Sequence, residues 1–127
     1  MIESSLKFIV NYADTDAYKV AWHGSYLRWM EAGRVDLLYK NGIDIKKLDD
    51  EENIVMPVVE INIKYKQSAR LMDEVIVKTK VVEKTKLYVL FEQTVENADG
   101  TVYTQATVKG VGIKDNKLMR DISWIFN

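Results

Sequence analysis

Tyr26-Leu-Arg-Trp-Met-Glu-Ala-Gly-Arg-Val-Asp-Leu-Leu-Tyr-Lys40 decides the fold. Apolar or small residues recur at Tyr26, Trp29, Met30, Gly33, Leu37 and Leu38, at intervals of three and four, which marks one face of an α-helix. Arg28, Glu31, Asp36 and Lys40 keep to the other side. Gly33 costs about 1 kcal/mol relative to alanine inside a helix, so its presence implies a backbone or a ligand approaching closely there. The helical pattern starts near Gly24-Ser25, and Asn41-Gly42 supplies the stop.

On the N-terminal side of this helix, Leu6 to Tyr12 reads as a strand with Leu6, Phe8 and Val10 on one face. The small polar run Ala13-Asp-Thr-Asp-Ala-Tyr-Lys19 breaks the alternation and forms the loop into the helix. On the C-terminal side, Ile43 to Asn53 reads as an acidic connection. Val58 to Lys66 then alternates strictly, Val59, Ile61, Ile63 and Tyr65 against Glu60, Asn62, Lys64 and Lys66, as a half-buried strand does. Pro57 lacks an N–H for a ladder and belongs at the strand's beginning or on an edge.

Three further strands are predicted at about Glu74–Val82, Leu87–Glu96 and Thr101–Lys114, separated by Glu83-Lys-Thr-Lys86 and by the hairpin signal Asp99-Gly100. Gly110 and Gly112 sit where the last alternation changes phase, which predicts a bulge or a tight approach. The sum is an α+β fold with an antiparallel sheet, a single domain over residues 1–127. One helix cannot cover two sheet faces and two edges, so an oligomer that hides the remainder is expected.

Composition narrows the chemistry. Hydrophobic residues make up 47% and charged residues 29% of the 127, enough apolar mass for a core. Lys plus Arg number 18 against 19 for Asp plus Glu, a net charge of -1, which argues against nucleic acid as a partner. No apolar run approaches the ~18 residues of a membrane span, and Met1-Ile-Glu-Ser-Ser-Leu-Lys-Phe8 lacks the layout of a secretory signal, so a cytoplasmic protein is expected. With no cysteine and one histidine, His23, thiolate and multi-histidine metal sites are excluded, and acid–base work falls to carboxylates, tyrosines or backbone.

Reactive residue types concentrate between Tyr12 and Tyr26. A carboxylate on a loop beside a helix N-terminus has free backbone donors nearby, which can hold a polarised carbonyl while the carboxylate attacks or activates water. Asp14 and Asp16 are the candidates, although aspartate is also an ordinary turn former and a favourable anion at a helix start.

The pattern Tyr12-x-Asp14-Thr15-Asp16-Ala17 followed by Trp22-His23-Gly24-Ser25-Tyr26-Leu27 resembles the signature of hotdog-fold acyl-CoA thioesterases of the 4-hydroxybenzoyl-CoA thioesterase-like family, short-chain acyl-CoA branch. The likeness extends to a helix with Glu31 and Arg34, a strand ending in Tyr65 and the segment Ala69–Asp73, and covers most of the chain. It implies a five-stranded antiparallel sheet wrapped around one long central helix. It implies hydrolysis of an acyl-CoA thioester to a free acid and coenzyme A, which belongs to the substrate, with no metal or separate cofactor.

Position by position, Asp16 matches the family's catalytic carboxylate, nucleophile or general base. His23 matches the motif histidine, its backbone N–H polarising the thioester carbonyl, and Tyr12 matches a tyrosine of the same site. Asp14 reads as structural. Trp22, Gly24 and Tyr26 are candidates for substrate contact, the aromatic stripe serving core and pocket together. Lys64, Lys66 and Arg70 surround a strand end, where cations would meet the phosphates of coenzyme A.

The family usually has glycine where this chain has Tyr18 and Lys19, asparagine at Ser25, and proline and glycine at Ser68 and Met72. The resemblance also implies homodimers, often paired as homotetramers, with active sites at subunit boundaries. Rival readings are an acyl-carrier-protein thioesterase on the same fold and a non-catalytic acyl-thioester-binding or dimerisation module.

Overall fold

The computed structural model describes residues 2–126. Strand β1 (Glu3–Ile9) leads through one 3-10 turn, Tyr12–Asp14, to helix α1 (His23–Lys40) and a short helix α2 (Ile45–Glu52). Strands β2 (Ile54–Val55), β3 (Val58–Tyr65), β4 (Glu74–Lys84), β5 (Val89–Glu96), β6 (Val102–Gly110), β7 (Ile113–Lys114) and β8 (Lys117–Leu118) follow. Five of them form an antiparallel sheet in the order β1-β4-β5-β6-β3, and β2, β7 and β8 form a small second sheet.

The six α1 positions picked out by their spacing are all buried, together with Ser25. Gly33 owes its place to the sheet: a Cβ there would lie 2.8 Å from Thr79 Oγ1 and 2.8 Å from Val77 Cγ1 on β4. This close approach lets the fully buried Gln93 of β5 tie sheet to helix, its Nε2 donating to the Met30 carbonyl (2.8 Å) and to Thr79 Oγ1 (2.9 Å). Around it Val10, Val75, Val77, Val95 and Val108 complete the core. The helix ends as predicted, with Gly42 in the left-handed region at φ +81 and the Ile43 N–H donating to the Leu38 carbonyl (2.9 Å).

Four expectations are corrected. The acidic connection contains α2, capped by Asp44, whose side chain accepts from the N–H groups of Lys46 and Lys47, and closed by Asn53 at φ 54. Its inner face is carried by only two apolar residues, Ile45 and the half-buried Leu48, one turn apart in eight residues, too short a run to stand out as a period. The first strand lies three residues earlier, because Asn11 turns its side chain to the Ala13 N–H and caps the 3-10 turn instead of extending the ladder.

The last long strand stops at Gly110. Beyond it the Val111 N–H donates to the Pro57 carbonyl, and Gly112 meets Met119 and Ile122, each 2.9 Å from where a Cβ would sit. Finally, β3 is not half-buried. It is an edge strand, and although Ile61 pairs with the buried Val108, Ile61 remains 39% and Tyr65 40% exposed. The reason is that α1 packs over β1, β4 and β5 and leaves the β3 side uncovered.

Candidate active site

Residues 15–21 form a tight turn with Asp16 at its shoulder. Thr15 bridges Ala21, the Asp16 N–H donates to the Val20 carbonyl (3.0 Å), and the Lys19 N–H donates to the Asp16 carbonyl (3.0 Å). Asp16 Oδ1 accepts from the Tyr18 N–H (2.8 Å), the local bond that makes aspartate a turn residue. The turn docks on the segment after β3: the Ala21 N–H donates to the Ala69 carbonyl (2.8 Å) and the Leu71 N–H to the Lys19 carbonyl (3.1 Å).

Asp14 faces inward. Its Oδ2 accepts from the Asn11 N–H (3.0 Å), its Oδ1 pairs with Arg28, and its carbonyl accepts from Ser25 Oγ (2.7 Å) and from the Trp22 N–H (3.2 Å). The two aspartates thus differ in surroundings: Asp14 is buried and paired, and Asp16 is exposed at the pocket rim.

Helix α1 opens on His23 with Trp22 as its N-cap, and no side chain accepts from the first-turn N–H groups. The Ser25 N–H donates to the Trp22 carbonyl (2.9 Å), which leaves the His23 and Gly24 N–H groups and the positive end of the helix dipole for another acceptor. The His23 ring stacks on Tyr65 with centroids 4.4 Å apart, and Tyr65 meets Tyr26 edge to face at 5.6 Å. Tyr26 is buried, its hydroxyl accepting from the Ala69 N–H (2.9 Å). Burial raises the Tyr26 hydroxyl pKa, the Ala69 N–H opposes this, and Tyr65 and Asp73 add to it. Burial also raises that of Tyr65.

A pocket of about 440 Å³ lies among these groups. Of the predicted residues it brings together Asp16, Trp22, His23, Tyr26 and Lys66. Gly24 stands just behind, where a Cβ would run into the Trp22 ring, so glycine is what lets that ring fold over the helix start. Three predicted residues lie elsewhere. Tyr12 is 73% exposed in the 3-10 turn, outside the pocket walls. Lys64 points to the opposite face of the sheet from Tyr65, beside Asn62, Gln105 and Thr107. Arg70 pairs with Val20 through its backbone, but its side chain does not line the pocket.

Val20, Ala21, Tyr65, Gln67 and Ser68 also line the pocket, though none was predicted as a site residue. The signals for Tyr65 were the alternation of β3, which put it on the apolar face, and its place at the strand end in the family resemblance. Among the described residues no three His, Asp or Glu side chains cluster to hold a metal ion.

Two departures from the family pattern are explained by backbone. Lys19 at φ 62 and Met72 at φ 71 both occupy the left-handed region, where glycine carries no Cβ penalty. A carboxylate and an uncapped helix N-terminus bordering one pocket form an arrangement suited to attack on a carbonyl whose oxygen is gripped by amide donors.

The profile of the thioesterase superfamily matches residues 18–104. This chain belongs to that superfamily. It is 32% identical over 111 residues to the acyl-CoA thioesterase YbgC of Haemophilus influenzae, covering 86% of this chain and 81% of that protein. It is 28% identical over 109 residues to the acyl-CoA thioester hydrolase YbgC of Escherichia coli O6:H1, with the same coverage of 86% and 81%. The DHNA-CoA thioesterase structure from Staphylococcus aureus superposes with a TM-score of 0.87 at 30% identity, over 94% of this chain and 81% of that one. The superfamily member described here is accordingly a thioester hydrolase with the hotdog arrangement of sheet and helix. Among the described residues no helix is long and apolar enough to cross a membrane.

Proposed function

We propose that the protein acts in the cytoplasm on an acyl-coenzyme A thioester, breaking the C–S bond with water to release a carboxylic acid and the thiol of coenzyme A. The N–H groups that open α1, those of His23 and Gly24, take the developing oxyanion. Asp16 either attacks the carbonyl carbon, giving a mixed anhydride that water then hydrolyses, or draws the proton from an attacking water. A thioester carbonyl has little resonance stabilisation, so one carboxylate and a helix N-terminus suffice without a serine triad. The observation that carries this reading is that Asp16 and the uncapped start of α1 border the same pocket. Lys66 at that pocket is the cation best placed for the phosphates of coenzyme A; Lys64 and Arg70 lie off its walls.

Asp16→Asn is the test. Asparagine keeps an Oδ1 to accept from the Tyr18 N–H, so the turn survives while the charge is lost. Thiol release from a panel of acyl-coenzyme A thioesters should show kcat lowered about a hundred- to ten-thousandfold with a smaller change in KM. A variant with the wild-type kcat would overturn the assignment.

The same reading includes a second copy paired along β3. Its support is the unpaired edge of β3 together with the exposure of Ile61 and of Tyr65, whose ring α1 covers only in part through His23 and Tyr26. Two-fold antiparallel pairing of β3 with itself would set the Tyr65 end of one copy beside the Val58 end of the other, putting each His23 pocket at the boundary. Sedimentation at micromolar concentration should give a dimer or a pair of dimers, and Ile61→Lys should shift it toward monomer; a wild-type monomer would refute the pairing.

A further inference from the structure

Helices α1 and α2 begin differently. Asp44 opens α2, and its side chain accepts from the N–H groups of Lys46 and Lys47, two and three residues on. Trp22 opens α1, and an indole has a donor but no acceptor, so no such bond forms there. Within the first turn of α1 the Ser25 N–H already donates to the Trp22 carbonyl (2.9 Å). The Gly24 N–H, two residues on, is therefore the donor that a capping side chain at position 22 would claim. Tryptophan leaves it free.

Core packing does not account for the place of the Trp22 ring. Tyr26 and Trp29 of the same aromatic stripe are buried, whereas Trp22 is 51% exposed. The ring turns instead onto Gly24, where a Cβ would collide with its Cη2 and Cζ3 atoms. A Cα–Cβ bond leans toward the helix N-terminus, so a ring seated there borders the end at which the His23 and Gly24 N–H groups are free. Glycine is a poor helix former, and its use at this position gives the ring its seat. Trp22 and His23 both line the pocket, and the His23 ring is held apart on Tyr65. Fixed N–H donors stabilise a developing oxyanion most where water is kept from them, which an apolar ring beside them does.

We propose that Trp22 is a positioning residue for the oxyanion donors, acting in two ways. Lacking an acceptor, it leaves the Gly24 N–H unclaimed; seated on Gly24, its ring keeps water from that side of the first turn. The inference rests on the hydrolytic reading, which gives those donors their task. Trp22 works through the N–H groups it leaves open, and a residue such as the Asp44 of α2 in its place would strengthen the helix and weaken the site.

Two substitutions separate these effects. Trp22→Ala removes the ring and adds no acceptor, and Trp22→Asn removes the ring and adds a cap. Thiol release by Trp22→Ala should show kcat lowered about tenfold with KM little changed, and Trp22→Phe should restore most of it. Trp22→Asn should have a higher urea midpoint than Trp22→Ala and yet a kcat lower again by about five- to tenfold. A residue that only supports the fold would move midpoint and kcat in the same direction. Gly24→Ala, which evicts the ring, should reproduce the kcat loss of Trp22→Ala, and the double variant should lose no more than either single one. By NMR, the Gly24 Hα should carry an upfield ring-current shift that Trp22→Ala abolishes, and the Gly24 N–H should exchange with water more slowly in Trp22→Asn than in Trp22→Ala. Equal kcat in the alanine and asparagine variants, a raised KM with unchanged kcat in Trp22→Ala, or a Gly24 Hα without the ring-current shift would each overturn the proposal. The NMR readouts do not depend on turnover, so a wild-type kcat in Asp16→Asn, which sinks the hydrolytic reading, is distinguishable from a failure of the ring and cap.

Discussion

The turn bearing Asp16 and the middle of α1 are joined by one continuous stretch of chain, yet they are held by different forces. The turn is fastened by backbone pairing with residues 69–71 and by Asp14, with Asp16, Tyr18 and Lys19 exposed. The middle of α1 is fastened by contact, with Met30, Gly33 and Leu37 pressed on the sheet over Val77, Thr79 and Gln93. The lesson is that the reactive loop can change a side chain at little cost to folding, whereas the helix that aims its N-terminus at the pocket cannot.

The sharpest way to break this contrast is at Gly33. Val77 and Thr79 are buried within a central strand and cannot retreat from an added Cβ. Gly33→Val should therefore destabilise the protein by about 3 kcal/mol in urea unfolding, the upper range for overpacking. Gly33→Ala should also lose stability, because its helix-propensity gain of about 1 kcal/mol is outweighed by the same contact. If alanine instead stabilises the protein by that full amount, the helix is not held by close approach.

A smaller effect is expected at Asp14. Both of its carboxylate oxygens face donors, the Asn11 N–H and Arg28, so the amide of Asp14→Asn must turn an NH2 toward one of them. Loss of about 2 kcal/mol should follow, with the loop loosened and turnover reduced in step. Asp16→Asn, by contrast, should leave the urea midpoint nearly unchanged. A large stability loss at Asp16 with none at Asp14 would reverse their roles.

The same division explains what could be read in advance. The inward face of α1 was legible because burial imposes a period, and all six positions are buried. Asp14 and Asp16 could be told apart only through the motif, since both are plausible turn residues by type. Helix α2 escaped because its inner face rests on only Ile45 and the half-buried Leu48, although Asp44 and the left-handed Asn53 are its local signs. The stack of His23 on Tyr65 joins residues far apart in sequence and exists only through the sheet. Alternation already put Lys64 on the other face from Tyr65, where it lies, but it put Lys66 there too; β3 ends at Tyr65, so Lys66 leaves the alternation and borders the pocket.

Tyr26 spans both regions and gives the finest test. It is on the buried face of α1, but its hydroxyl accepts from the Ala69 N–H in the segment on which the turn docks. Tyr26→Phe strands that buried N–H and should cost about 1 kcal/mol at neutral pH. The pH dependence follows from the hydroxyl's pKa, lifted chiefly by burial above its ordinary 10.0. The protonated form is favoured by folding, so its contribution is complete below about pH 10 and is lost as pH rises through the folded-state value. Phenylalanine has no such loss, and the stability gap between the two proteins should narrow above about pH 10. A gap that stays constant or widens there would mean that Tyr26 meets solvent in the folded protein, and that the docking of the turn on Ala69 is looser than its hydrogen bonds imply.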